Sequence, residues 1–304
     1  MLIFTNSFTQ NKSDTTNFLT SNPKLDFQLM QLELNNIKLD SVKVNTINKS
    51  SVDYTTLAWV GGITLASGVG VHLYEANSWW REPNTNFHIT WDTKYALGID
   101  KLGHFYASGL LSHAFASTVE AANVDLFTST WIGAGLAFSY EMFVEIEDGF
   151  GPNWGFSPGD AIADFLGASY YVAQHYFPIL QNFQPRVSYY PSKKFLEGDT
   201  KAIIIDDYEG QTFWLAMRIN NLLPKTAAEY WPDWLMISLG AAARELDGRG
   251  GGYREYYIAL DLDPDYLPLH GRFGQFVKNT LNYLHFPLPG IRITPNTAAF
   301  AIIF

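Results

Sequence analysis

The sequence predicts an α+β fold, in which an apolar bundle of about four helices is followed by a small antiparallel sheet with one further helix. Long stretches between residues 54 and 190 contain no Asp, Glu, Lys or Arg. Ionisable residues flank or interrupt them four positions apart, the spacing that places two side chains on one helix face. After Pro191, apolar residues alternate every second position, as strands require. We therefore expect a flexible or peripheral arm over 1–53, the bundle over 54–190 and the β-rich region over 191–304.

Composition indicates partial membrane contact and excludes some partners. Charged residues make up 16% of the chain, against a typical share of about 25%. The mean hydropathy of -0.05 is nevertheless too low for a protein built only from membrane helices. A formal net charge of -10 opposes binding to phosphates, so we expect no nucleic-acid partner. The chain has no cysteine, so we also expect no disulfide, thiolate metal site or lipid-modified cysteine.

The first predicted helix has the length and composition of a membrane span. Thr55–Tyr74 contains no Asp, Glu, Lys or Arg, and a helix of that length crosses a bilayer at a rise of about 1.5 Å per residue. Gly62, Ala66 and Gly70 recur every four residues, which would let another helix approach closely. A buried helix of a soluble bundle is the alternative interpretation.

Three further helices follow. The second begins near Asp100 and continues through Leu102–Val119, and the third covers Leu126–Ile146. The fourth has the clearest start, because Ser157 is a favourable N-cap residue and Pro158 suits the first helical position.

Each of these helices carries a pair of ionisable residues at a spacing of four. The pairs are Asp100 with His104, Glu141 with Glu145, and Asp160 with Asp164. Because buried charges without partners are costly, we expect the pairs and Lys101 to meet in one polar cluster inside the bundle. Two alternatives remain open, since Asp100 could be a plain helix cap and the acids of the third helix could be solvated.

The carboxy-terminal region is expected to form a small sheet packed on the helices. Period-two alternation and a final apolar segment predict strands at Lys201–Asp207, Phe213–Ile219, Leu235–Leu239, Tyr253–Leu262 and Thr297–Phe304, with a helix at Arg272–Leu284. About five strands are too few for the smallest closed membrane barrels, which have eight.

These residues resemble an uncharacterised bacterial envelope family, the YfiM-like proteins, which are described as predicted periplasmic lipoproteins. The resemblance is carried by the segments Asp100–Phe105 and Trp154–Gly167, by Glu141 and Glu145, and by Tyr208–Leu215. The helix motifs are also similar to those of the VanZ-like membrane proteins, a family linked to glycopeptide resistance. The resemblance implies a location in the bacterial cell envelope, at the outer membrane or at a membrane that faces the periplasm.

Three functions fit this sequence, and the expected partners are a lipid or membrane and an envelope protein complex. The first is an accessory or scaffold subunit in which the polar cluster only locks the bundle. The second is a membrane-embedded site that binds or processes a lipid headgroup, with Lys101 on a phosphate and His104 as acid or base whose tautomer Asp100 fixes. Glu141 and Asp160 would position a proton or a cation in this catalytic site.

The third function is a metal site, which ranks last because no Glu-x-x-His pair is present. Its ligands would be drawn from His104, Glu141, Glu145, Asp160 and Asp164. The cofactor stays open, since neither a phosphate-binding loop nor a His-Glu-x-x-His motif occurs. Geometry separates the alternatives, because a ligand site needs a cavity that reaches the cluster, whereas a structural lock is filled and fully paired.

Overall fold

A computed structural model describes residues 51–77, 80–198 and 204–304. It confirms the α+β class, with a helical bundle followed by a six-stranded antiparallel sheet and a further helix. The bundle helices are α1 (Tyr54–Ala76), α2 (Ile99–Ala121), α3 (Leu126–Asp148) and α4 (Pro158–Tyr176), and a 3-10 turn at Tyr95–Gly98 precedes α2. Except for its last three residues, the predicted arm over 1–53 lies outside the described residues.

The helices begin at the residues that local chemistry favours. The Asp53 side chain accepts hydrogen bonds from the first backbone N–H groups of α1, and Asp125 caps α3 in the same way. Ser157 accepts a hydrogen bond from the backbone N–H of Asp160, and Pro158 is the first residue of α4, which confirms the predicted start. Helix α2 instead follows Gly98, whose φ of 79° lies in the left-handed region that glycine adopts at little cost.

Small residues let α2 pack closely against both α3 and α4. A Cβ atom on Gly133 of α3 would lie 2.5 Å from the carbonyl oxygen of Ser112, and one on Gly167 of α4 would lie 2.1 Å from that of Phe105. The apolar core between these helices consists of Ala116, Ala134, Ala168, Tyr171 and Val172. Close backbone approach therefore fixes how the three helices cross.

Helix α1 is less closely packed. It joins α2 through a hydrogen bond of 3.3 Å between the hydroxyls of Thr64 and Thr118. Within the described part of the chain, no atom lies within 4 Å of a Cβ built on Gly62 or Gly70, so the predicted small-residue stripe receives no helix there. Among the described residues α1 is the one helix that is long and apolar enough to cross a membrane, by length and composition only.

The six strands form one sheet in sequential order, and every neighbouring pair is antiparallel. They are β1 (Phe183–Tyr189), β2 (Gln211–Met217), β3 (Leu235–Arg244), β4 (Tyr253–Leu262), β5 (Gly290–Thr294) and β6 (Ala298–Phe300). Helix α5 (Gly271–Leu281) lies between β4 and β5 in the chain. Short helical turns occur at Pro178–Asn182, Lys193–Leu196, Ile204–Asp206, Ile219–Leu222, Lys225–Ala228 and Pro264–Tyr266.

The sheet corrects part of the strand prediction. The predicted bounds of β4 are confirmed, whereas β1 and β5 were not predicted. The predicted strand over Lys201–Asp207 is wrong in its described part, because Ile204–Asp206 forms a 3-10 turn whose carbonyls accept hydrogen bonds from the side chain of Gln211.

The sheet buries one face that carries both polar and apolar side chains and leaves much of its other, apolar face exposed. Arg186 and Asp261 form a fully buried ion pair of 2.7 Å on the buried face, which also carries the apolar cluster around Trp214. On the other face, Phe213 packs with Ile99 of α2 and with Tyr106. Further along that face, four register neighbours are exposed, namely Leu215, Leu239, Ile258 and Ile291. Polar groups therefore lie inside the protein and apolar groups on much of its surface.

Two glycines of α3 test the close packing of the bundle. Gly133→Ala should lower the free energy of unfolding by about 1–3 kcal/mol, because the added methyl group overlaps α2. Gly135→Ala should raise it by about 0.5–1 kcal/mol, because nothing lies within 4 Å and alanine favours the helix. Thermal and denaturant unfolding of both variants measure these changes, and equal effects would contradict the packing.

Candidate functional site

A cavity of about 990 Å³ lies between the helical bundle and the sheet. Its apolar wall includes Ala107, Leu110 and Leu111 of α2 together with Phe213 of β2. Its polar part is acidic, and the carboxyl groups that line it belong to Glu75, Asp92, Asp100, Glu141, Glu145, Asp148, Asp160 and Asp206. The cationic or titratable basic side chains along the described lining are His104, Lys94 and Arg249, of which the last two are exposed.

The structure brings the predicted site residues together. Five of them line the cavity, namely Asp100, His104, Glu141, Glu145 and Asp160. The other two lie beside it, since Lys101 binds Asp160 and Asp164 contacts His104. Their role in binding or catalysis stays a prediction.

Lys101 is surrounded by three aspartates. Its Nζ atom lies 2.7 Å from Asp92 Oδ1, 2.7 Å from Asp100 Oδ2 and 2.8 Å from Asp160 Oδ1. Burial alone would lower the pKa of Lys101, but these carboxylates outweigh it and raise the pKa above its ordinary value. The ammonium group is thus neutralised within the protein, which removes the basis for its expected contact with a phosphate.

His104 pairs with Asp164 rather than with Asp100. Its Nδ1 atom lies 3.1 Å from Asp164 Oδ1, while the Oδ2 atom of Asp100 binds Lys101. The expectation that Asp100 fixes the imidazole tautomer is therefore wrong. The cause is the crossing of α4 over α2, because Gly167 touches the backbone of Phe105 and brings Asp164, one turn earlier, beside His104.

This environment favours the imidazolium form of His104. Burial opposes the charge, but contact with Asp164 and the nearby charges of Asp160 and Glu141 raise the pKa of His104 to about 10. The side chain keeps 20% of its surface accessible. It is a cation at neutral pH and can donate a hydrogen bond to a group in the cavity.

The two glutamates of α3 differ in their partners. Glu145 Oε2 accepts a hydrogen bond of 3.0 Å from the backbone N–H of Ser157. Glu141 is only 7% exposed and makes no hydrogen bond or ion pair among the residues that the structure describes. Burial raises the pKa of each glutamate to about 8. Glu141 is thus a buried carboxyl group that faces the cavity without a partner.

Four acidic lining residues were not predicted as part of the site, namely Glu75, Asp92, Asp148 and Asp206. Asp92 precedes α2 in an irregular segment, where helical spacing gives no signal. Glu75 ends α1 and accepts a hydrogen bond from the hydroxyl of Tyr140. Asp148 accepts one of 2.6 Å from the indole of Trp80, and burial raises the pKa of Asp148 to about 7. Only Asp148, seven residues after Glu141, had a helical position that could have revealed it.

The segment Gly155–Gly159 fits the Gly-x-Ser-x-Gly pattern of hydrolase nucleophiles but lacks their geometry. Its serine, Ser157, caps α4 and donates a hydrogen bond of 2.7 Å to Asp92 Oδ1. Ser157 is also 3% exposed and does not line the cavity. A nucleophile must be exposed next to a general base, so this serine is part of the framework.

The arrangement has two chemical capacities. Carboxyl groups whose pKa lies near neutrality can donate and accept protons, and Glu141, Glu145 and Asp148 meet this condition. An excess of acidic over basic groups also attracts cations, because a cavity with apolar walls concentrates the electric field.

Comparison with known proteins gives one match. Residues 90–175 match the model of a family described as "Predicted periplasmic lipoprotein (DUF2279)". The chain is therefore a cell-envelope protein. The match supports the resemblance to an uncharacterised periplasmic lipoprotein family and confirms the expected periplasm-facing location. The matched segment contains all seven predicted site residues, whereas no curated protein and no solved structure matches the chain.

Two lysines test the electrostatics of this site. Lys101→Met should lower the free energy of unfolding by about 3 kcal/mol, because it leaves three largely buried aspartates without their cation. Lys193→Met removes an exposed ion pair with Glu197 and should change it by less than about 0.5 kcal/mol. Denaturant unfolding of both variants gives the comparison, and equal losses would show that Lys101 does not hold the acids.

Proposed function

We propose that this envelope protein binds an amphipathic molecule, with the headgroup at the acidic part of the cavity and the apolar portion along α2. The observation that carries this proposal is the cavity itself, which has an apolar wall on one side and the acidic cluster on the other. Its volume of about 990 Å³ is at the upper end of the range of roughly 300–1,000 Å³ for ligand pockets.

The charge of the lining selects the headgroup. Eight carboxyl groups line the cavity, and Lys101, the strongly basic side chain that lies among them in the described part of the chain, already binds three aspartates. An anionic headgroup would oppose ionisation of these carboxyl groups, whereas an amino group would favour it and a hydroxyl group would find acceptors. We therefore expect a headgroup that carries amines or hydroxyls rather than an exposed phosphate.

A ligand-binding role accounts for the cavity better than a scaffold role does. A cluster that only locks the bundle should be filled and fully paired. Glu141 instead lacks a partner among the described residues, and the space beside it is open. The pattern of Asp100, His104, Glu141 and Asp160 is similar to that of the VanZ-like membrane proteins, which also favours a ligand-binding role. We propose that residues 90–175 are YfiM-like as well.

Membrane contact through α1 is the second part of the proposal. The helix is 23 residues long, and none of its most apolar 18-residue window is buried. Large apolar side chains such as Trp59, Ile63 and Leu65 are more than half exposed. Such a surface is costly in water and favourable in lipid. An amphipathic ligand would then be drawn from the adjacent membrane.

Native mass spectrometry of the gently purified protein tests the ligand. Wild type should carry a bound small molecule, and Ala107→Trp should reduce its occupancy by about tenfold or more, because the indole fills the apolar end of the cavity. Ala114→Trp is the matched control, since Ala114 is an exposed residue of α2 outside the cavity and should leave occupancy unchanged. Absence of a small molecule, or equal loss in both variants, would overturn the proposal.

The headgroup is tested with alkyl probes of equal chain length below their micellar concentrations. An alkylamine and an alkyl glucoside should raise the melting temperature of wild type and not of Ala107→Trp, whereas an alkyl phosphate should have little effect, because it meets the acidic lining. Stabilisation by the phosphate alone would contradict the assignment of the headgroup.

The absence of native cysteine allows a direct test of membrane contact. Leu65→Cys on α1 and Tyr230→Cys outside the bundle each give one labelling site, and both positions are at least 70% exposed. An environment-sensitive fluorophore at position 65 should shift to shorter wavelength in lipid vesicles and be quenched by brominated lipid, because that surface contacts acyl chains. The label at position 230 should show neither effect. Identical spectra at the two sites would exclude contact through α1.

A further inference from the structure

Three side-chain atoms that could bind a metal ion lie close together beside the cavity. His104 Nδ1, one oxygen of Glu145 and one oxygen of Asp164 lie within 4.8 Å of one another. The distance from His104 Nδ1 is 3.1 Å to Asp164 Oδ1 and 3.9 Å to Glu145 Oε1. Ligand atoms around a divalent ion with bonds of about 2.1 Å are separated by about 3.0–3.4 Å. Asp164 has this separation from His104 because a hydrogen bond joins them, so a metal ion would replace the Nδ1 proton, and a small movement would bring Glu145 to the same separation.

Glu141 supplies an independent indication of a ligand. Glu141 is only 7% exposed, and it lines the same cavity as His104 and Glu145. No described residue forms a hydrogen bond or an ion pair with it. Leaving a buried carboxylate without a partner costs free energy. A cation bound in this cavity would lower that cost.

The remaining contacts orient the ligands without using their free atoms. The backbone N–H of Ser157 binds Oε2 of Glu145, which leaves Oε1 directed towards His104. The other ring nitrogen of His104 lies 3.7 Å from Asp160 Oδ1. That separation is too long for the hydrogen bond that usually orients a metal-bound histidine, so Asp160 lies near the ring without fixing it.

The geometry points to a site for one divalent first-row transition metal ion, held by His104, Glu145 and Asp164, with the carboxyl group of Glu141 facing the same cavity. One imidazole with carboxylates and no thiolate suits Zn²⁺ or Mn²⁺, and the nitrogen ligand makes Mg²⁺ a poor occupant. The side of the ion that faces the cavity would remain open to water or to a ligand. This inference does not require the amphipathic ligand.

A second acidic group does not compete for the ion. Oxygen atoms of Asp92, Asp100 and Asp160 also lie within 4.8 Å of one another. The ammonium of Lys101 occupies the space between them at 2.7–2.8 Å from each. A metal ion there would have to displace the ammonium group of Lys101, which already neutralises these carboxylates.

Metal binding to the full chain is the decisive experiment. The protein is treated with chelator, its fold is verified by circular dichroism, and Zn²⁺, Mn²⁺ and Mg²⁺ are added separately. We expect one Zn²⁺ or Mn²⁺ per chain by elemental analysis after desalting, with a higher melting temperature, and no retained Mg²⁺. Retention of no transition metal by the folded protein would overturn the site.

Isosteric substitutions locate the ion. Glu145→Gln and Asp164→Asn should each weaken binding by about tenfold or more, as should Glu141→Gln to a smaller degree. These changes remove negative charge from a crowded acidic site, so the variants should fold, and circular dichroism verifies this. Glu147→Gln, two residues from Glu145 on α3 and outside the cavity lining, is the matched control and should bind like wild type. Equal binding by all variants would place the ion elsewhere and refute the assignment.

Discussion

The burial of more carboxyl groups than cations in one cavity constrains the rest of this structure. Lys101 offsets the charge of three aspartates, and Asp164 pairs with His104. A backbone N–H from Ser157 stabilises Glu145. These contacts draw the segment before α2 and the helices α2, α3 and α4 around one centre, because each unpaired carboxylate would destabilise the fold. Glu141 has no such contact with any residue that the structure describes, so a bound ligand or ion would stabilise its ionised form.

This protein buries more charged side chains and exposes more apolar surface than an ordinary soluble domain does. The buried face of the sheet contains the ion pair of Arg186 with Asp261, and the helices surround the acidic cavity. Meanwhile α1 and much of the other sheet face expose large apolar side chains. A periplasm-facing envelope location provides a membrane that can cover such surfaces. The proposed binding of an amphipathic molecule and the proposed membrane contact would both follow from this distribution.

The proposed amphipathic ligand and the proposed metal ion would occupy neighbouring parts of one cavity, and different substitutions test them independently. Filling the apolar wall at Ala107 leaves the atoms of His104, Glu145 and Asp164 in place. Neutralising Glu145 leaves the apolar wall intact. A metal ion with an open position would lie beside the acidic part of the cavity, where the headgroup is proposed to sit.

The sequence by itself determined the helices, because uncharged segments, cap residues such as Ser157 and pairs spaced by four are local signals. It also determined β4, whose alternation is regular. Tertiary structure decided the partner of His104 and the inclusion of Asp92, since both depend on how segments far apart in the chain approach one another. It decided β1 as well, because Arg186 points inward and breaks the expected apolar pattern until Asp261, from a distant strand, neutralises it. Local propensity sets each element, but the contacts that stabilise buried charge form only when the elements pack.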